Sequence, residues 1–200
     1  MESLIYEQQA HEQGFALVCG VDEAGAGPLM GPLYAAAVIL PKQFDLPGLN
    51  DSKKLTEKKR EALFPLIQQQ AVAWAVASVS AREIDETDIL SARMRAMQLA
   101  IDGLSVRPEL ALIDGNRDHG RTAAIVTPHR CVIKGDSLSA SIAAASILAK
   151  VSRDRYMVEM AKRYPQYAFE RHKGYGTRLH YERLAQYGPS PIHRLTFLKP

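Results

Sequence analysis

Residues 15–21 alternate, with Phe15, Leu17, Cys19 and Val21 in step, and the run ends on two adjacent carboxylates, Asp22 and Glu23. The alternation predicts a strand. Successive strand side chains point to opposite faces, so one of the two acids must enter an otherwise apolar interior. An unpaired carboxylate there is costly, and a bound cation removes the cost. A loop with three glycines and two prolines follows, Gly25-Ala26-Gly27-Pro28-Leu29-Met30-Gly31-Pro32. Glycines let backbone N–H groups come close to a ligand. The nearly all-apolar run 34–40 predicts a second strand, buried on both faces and, given the short link, antiparallel to the first. A metal site beside a backbone-reading loop suits the holding and cutting of a phosphodiester.

Other readings of the loop fail on context. Its spacing is GxGxxxG rather than the dinucleotide fingerprint, Pro28 intrudes, and a strand rather than a helix follows. There is no Walker A sequence, and Ser52-Lys53 is not the Ser-x-x-Lys nucleophile pattern.

Further along, Thr56 is placed to cap a helix running to residue 69, with Pro65 expected to kink or end it. A third strand is expected at 71–80, helices at 82–89 and 91–104, and a fourth strand at 110–113 that ends at Asp114-Gly115-Asn116. One or two short strands are expected within 123–126 and 130–133. A long helix with a tight alanine face follows over 137–163, and a last helix over 177–186. The reading is an α/β fold.

If the strands carrying Asp22 and Asp114 are neighbours, Asp22, Glu23 and Asp114 meet at one sheet edge. Asp136 stands at the start of the long helix, where capping and the dipole alone already favour an acid. Asp114, followed by glycine, could likewise be a turn residue. Asp154 lies on the same helix face but about 27 Å further along the axis, too far to share one site. Asp85, Glu86 and Asp88 read as solvated, and Asp51 as a turn or substrate-side group. Asp22, Glu23, Asp114 and Asp136, with no histidine or cysteine partner, argue against zinc and for Mg²⁺ or Mn²⁺. Such a set can hold two ions about 3.5–4 Å apart.

Composition bounds the remainder. Two hundred residues, 46% of them apolar, suit a single domain over 1–200. The net charge of +3 hides an asymmetry: residues 150–200 carry 11 Lys and Arg against 4 Asp and Glu, so the rest of the chain is net acidic. The basic end, about 164–200 and helical, also holds histidines and tyrosines and suits a polyanion such as nucleic acid, or a solvated basic helix pair. Cys19 and Cys131 sit in apolar surroundings and read as two buried free thiols rather than a disulfide, which fits a reducing cytoplasm. The polar, acidic first residues do not read as a signal peptide, and no apolar run is long enough to cross a membrane.

Five motifs occur in order: Gly20-Val-Asp-Glu-Ala-Gly-x-Gly-Pro; Leu49-Asn-Asp-Ser-Lys-Lys-Leu; Ile113-Asp-Gly-Asn; Ile133-Lys-Gly-Asp-Ser with Ala144-Ala-Ser-Ile-Leu-Ala-Lys-Val-Ser-Arg-Asp; and His172-Lys-Gly-Tyr-Gly-Thr. Together they closely resemble bacterial type 2 ribonuclease H, ribonuclease HII, over about residues 17–197. The resemblance implies an RNase H-like mixed β-sheet flanked by helices, with a C-terminal helical extension. It implies cleavage of RNA in RNA–DNA hybrids and incision 5′ to single ribonucleotides in duplex DNA, leaving 3′-hydroxyl and 5′-phosphate ends. The family's metal-binding acids fall on Asp22, Glu23, Asp114 and Asp136, its junction-sensing loop on Gly25, Ala26 and Gly27, and its junction-sensing tyrosine on Tyr175. Lys53 and Lys173 are expected to hold phosphates, and the protein to act as a cytoplasmic monomer.

One departure stands out. The family usually reads Gly-Arg-Gly where this chain has Gly25-Ala26-Gly27, so activity is expected to persist with weaker binding or weaker junction preference. Two rivals are a related nuclease acting on DNA only and a hybrid-binding protein without catalysis. Binding alone would not need four acids facing phosphate.

Overall fold

The computed structural model describes residues 4–115 and 121–198. In chain order the elements are α1 (Ile5–Glu12), β1 (Val18–Ala24), β2 (Leu33–Ile39), α2 (Glu57–Gln70), β3 (Ala73–Val79), α3 (Ala81–Glu86), α4 (Ile89–Asp102), β4 (Leu110–Asp114), β5 (His129–Val132), α5 (Gly135–Leu138), α6 (Ala140–Arg163), α7 (Phe169–His172) and α8 (Arg178–Tyr187), with short 3-10 turns between some of them. The strands form one mixed sheet in the order β3-β2-β1-β4-β5. β1–β2 and β2–β3 are antiparallel, whereas β1–β4 and β4–β5 are parallel. This is the mixed sheet between helices, with a helical C-terminal region, that the resemblance implies. No helix among the described residues is long and apolar enough to cross a membrane.

The period-2 pattern of β1 sorts the two layers. Cys19 and Val21, with Ala35, Ala37 and Ile39 of β2, pack on Met94, Met97 and Ile101 of α4. Val18, with Leu110 and Leu112 of β4, faces Ile142 of α6, while Ala36 and Val38 meet the alanine face of that helix and Leu63, Phe64 and Ile67 of α2. Gly20 belongs to the α6 face. A Cβ there would lie 2.1 Å from the Ser141 carbonyl carbon, so only glycine lets the helix backbone rest on the strand.

Several expectations need correction. Pro65 sits inside α2 without ending it. The buried Leu63, Phe64 and Ile67 anchor both sides of the proline, and their burial outweighs the missing hydrogen bond. The segment 123–126 is not a strand; residues 121–124 form a 3-10 turn. The long helix is two helices. Ser139 is extended and caps α6 through its side chain, leaving α5 as a separate turn.

The polar N-terminal segment, for which no element was expected, is helical. Its buried Glu7 accepts hydrogen bonds from Ser139 Oγ, Ser141 Oγ and Ser141 N at the start of α6, where a negative charge complements the helix dipole. Cys19 is buried as expected and burial pushes its thiol up to about 12, but Cys131 is exposed; neither forms a disulfide. Asp85 and Asp88 are not simply solvated. Asp85 accepts from Leu195 N, Thr196 N and Thr196 Oγ1, and Asp88 caps α4. Asn116 lies outside the described residues.

Candidate active site

β1 and β4 run parallel and in register at Val21 and Ile113, so their carboxyl ends open at the same sheet edge. Ligands of open α/β sheets bind at such edges. Asp22 and Asp114 are the next residue on each strand. The third acid arrives through a tight turn: Lys134 takes a left-handed backbone conformation and starts α5, whose first turn holds Asp136. Its backbone N–H donates to Asp114 Oδ1 at 3.3 Å. Asp22, Asp114 and Asp136 each place a carboxylate oxygen within 4.8 Å of the other two.

Glu23 does not join that trio, for the reason the alternation gave. Asp22 shares the face of Gly20 and α6, whereas Glu23 points to the opposite face, toward α4. There Arg93 Nε lies 2.9 Å from Glu23 Oε2, and Arg93 also donates to the Asp114 carbonyl at 3.3 Å. Glu23 is thus paired with an arginine of the protein itself, a partner the sequence did not suggest, while Asp22, the more buried of the two acids, belongs to the carboxylate trio.

The electrostatics mark the trio as crowded. Burial pushes the Asp22 carboxyl well above the usual carboxylate range, and Glu23 and Asp114 push the same way. Glu23 is also raised, burial outweighing the pull of Arg93. Asp136 is raised by burial and by Asp114 and Asp51, against Lys53. Lys53 Nζ lies 3.3 Å from Asp136 Oδ2 on a side chain that is 75% exposed. Burial lowers the Lys53 pKa, but Asp22 and Asp136 outweigh it and hold the ammonium up. Three hard oxygen donors crowded this closely match what a divalent cation needs. Asp154 stays outside the cluster, paired with Lys150 at 2.7 Å and Arg60 at 3.9 Å. Asp51 is a turn residue whose side chain accepts from Lys53 N.

The other expected contacts form a second group. Gly25 follows Asp22 by three residues, within about 11 Å along the chain. Its backbone is left-handed, and a Cβ there would lie 2.1 Å from Arg153 Nε. Ala26 is partly buried against the core, and Gly27 is exposed. Tyr175 is 43% exposed. Its ring lies 5.8 Å from the Arg153 guanidinium and 6.0 Å from Lys150 Nζ, both within cation–π reach. Lys173 Nζ donates to the Glu170 carbonyl at the surface. Arg93, Arg153 and Arg194 were missed from the sequence. Only Arg153 carried a signal, as a lone charge in the apolar stripe Ala149, Met157 and Met160 of α6.

Comparison with known proteins identifies the family and the fold. The sequence model of the family "Ribonuclease HII" matches residues 19–199. Ribonuclease HII of Neisseria meningitidis serogroup C (strain 053442) is 56% identical over 183 residues, covering 90% of this chain and 92% of the relative. The crystal structure of ribonuclease H2 from Pyrococcus horikoshii OT3 superposes with a TM-score of 0.75 at 29% identity, covering 90% of this chain and 93% of that one. The RNase HII solved in complex with PCNA from Archaeoglobus fulgidus gives a TM-score of 0.76 at 25% identity, covering 92% and 96%.

Proposed function

The chain belongs to the ribonuclease HII family and is an endoribonuclease acting on RNA–DNA hybrids, and on that premise we propose that it also incises 5′ to single ribonucleotides in duplex DNA, using divalent ions held by Asp22, Glu23, Asp114 and Asp136. The observation that carries the metal assignment is the convergence of three carboxylates from three separate elements within 4.8 Å. Like charges that close are stable only when protonated or when a cation joins them.

Mg²⁺ or Mn²⁺ suits the all-oxygen donor set. Two such ions, when bound, would activate a water and stabilise the leaving oxygen, giving 3′-hydroxyl and 5′-phosphate ends. Asp22, the most buried of the four and central to the cluster, would be the main ligand. Asp114 and Asp136 would complete the set, and Glu23, held by Arg93, would contribute its charge from beside it. Lys53, exposed but tied to Asp136, meets the phosphate next to the cut, and Lys173 meets one further along. Gly25, Ala26 and Gly27 read the ribose 2′-hydroxyl through their backbone, because that group alone separates RNA from DNA at a site. Tyr175 stacks beside it. All these groups come from one chain, so a monomer suffices.

The test is a duplex with one embedded ribonucleotide, incubated with Mg²⁺ or Mn²⁺ and with chelator. The expected result is one metal-dependent nick 5′ to the ribonucleotide and none in the all-DNA duplex. Cutting of the all-DNA duplex, or cutting that survives chelation, refutes the reading.

A further inference from the structure

Away from the acids, the structure buries two arginines without a carboxylate. Arg153 and Arg194 are both 0% exposed, and among the described residues neither has an acidic oxygen within ion-pair distance. Burying a guanidinium this way is costly unless every donor is satisfied. The donors go to backbone carbonyls, all but one of them in the glycine loop. Arg194 Nε donates to Gly31 O at 3.0 Å, its NH1 to Ala26 O at 3.0 Å and Pro28 O at 2.9 Å, and its NH2 to Gly25 O at 2.6 Å. Arg153 donates to Pro32 O, Met30 O and Lys173 O at 3.0–3.3 Å.

The trans peptide turns this into an orientation. In each peptide plane the N–H of the following residue points opposite to the carbonyl. With the Gly25 and Ala26 carbonyls drawn onto Arg194, the N–H groups of Ala26 and Gly27 face away from it. A lysine in place of Arg194 keeps the charge but not the planar fork that engages four carbonyls at once.

The residue before Arg194 reaches the tyrosine. Ser190 N–H donates to His193 Nδ1 at 2.8 Å, so neutral His193 carries its proton on Nε2. That nitrogen lies 3.0 Å from His180 Nε2, and His180 Nδ1 lies 2.9 Å from the Tyr175 carbonyl, which can only accept. One proton arrangement satisfies the whole chain, from Ser190 to Tyr175. Backbone bonds close the unit: Arg194 N to Leu29 O, Gly31 N to Ile192 O, and Leu29 N to Gly174 O.

We propose that Arg194 is a positioning residue for ribose recognition: it aims the Ala26 and Gly27 N–H groups at the substrate and, with His193, locks the glycine loop and the Tyr175 turn into one rigid reader. The proposal rests on the loop's reading of the 2′-hydroxyl given above. It is tested by the ratio of affinities for a duplex with one ribonucleotide and the same all-DNA duplex, measured without divalent ion so that nothing is cut. Arg194→Lys should lower that ratio about tenfold, the scale of one or two lost hydrogen bonds, and leave all-DNA binding unchanged; a simple loss of fold would weaken both duplexes together. His193→Asn keeps an acceptor for Ser190 but cuts the tie to His180. It should lower the ratio about threefold, a partial loss of the same kind, and it serves if the lysine variant does not fold. A parent ratio above one that both variants retain overturns the role of Arg194 alone. A parent ratio of one overturns the ribose-reading loop and this proposal with it.

Discussion

The molecule holds two buried polar clusters, one beginning at Asp22 and the other gathered on the loop that opens at Gly25, and they solve opposite problems. At the carboxyl ends of β1 and β4, acids are crowded against acids, and burial raises the carboxyls of Asp22 and Asp136, Asp22 well above the usual range. Beneath the glycine loop, arginines and histidines are buried with their donors matched to carbonyls and ring nitrogens. The first cluster leaves three carboxylates facing one another with few donors between them. The second is complete in itself, which makes it scaffold. The contrast separates a group kept for chemistry from one kept to position something else, a distinction burial alone does not give.

The largest expected break in that contrast is Asp22→Asn. The amide keeps the shape but removes the central charge, so cleavage should fall by about a thousandfold or more. Binding of the hybrid should persist, and thermal stability should hold or rise because like-charge repulsion is relieved. Turnover at the parent rate would remove the metal assignment.

Arg153→Met makes the corresponding cut in the satisfied cluster. It strands the carbonyls of Pro32, Met30 and Lys173, so urea unfolding should show a loss of about 3 kcal/mol, with each stranded buried acceptor costing about 1 kcal/mol or more. A loss below about 1 kcal/mol would mean water replaces the guanidinium and the cluster is less closed than drawn.

Arg93 ties the fourth acid to the acid side of the comparison. Arg93→Met frees Glu23 from its ion pair and should lower kcat about tenfold with little change in KM, since it displaces one acid without touching substrate. A KM effect alone would place Arg93 on the substrate side instead.

The smallest effect concerns acid. Burial lowers the pKa of His172, His180 and His193, the last to about 4. A histidine whose folded pKa lies below its unfolded value contributes stability that is fully present above the unfolded pKa, near 6.5. That contribution is lost as pH falls from about 6.5 toward about 4. Melting temperature should therefore drop across this window, and His193→Asn should flatten the slope. An unchanged slope would remove His193 as the source.

Much of the site was legible from residues 15–40 and the strand ending at Asp114. Alternation is local, and it correctly placed Asp22 and Glu23 at the end of β1 on opposite faces. Three other features were hidden. The break at Ser139 was invisible because a serine is tolerated inside a helix as well as at its start. Arg93 carried no signal, since nothing in its sequence neighbourhood says that a strand from 70 residues earlier brings Glu23 to it. Helix α1 looked like a polar tail, because Glu7 acquires its value only when α6 presents its first turn.

The sequence by itself determined which acids could share a site, their side of the strand, the all-oxygen donor chemistry and the family. These follow from the strand period and residue chemistry, which need no partner. Tertiary structure alone decided that β1 and β4 are parallel neighbours, so that Asp22, Asp114 and Asp136 close to within 4.8 Å. It alone decided that Glu23 pairs with Arg93, and that Arg194, 169 residues beyond Gly25, holds the loop at whose head that glycine stands. Strand pairing and buried hydrogen bonds join residues far apart along the chain, and their partners are fixed by the packing of the whole rather than by any local pattern.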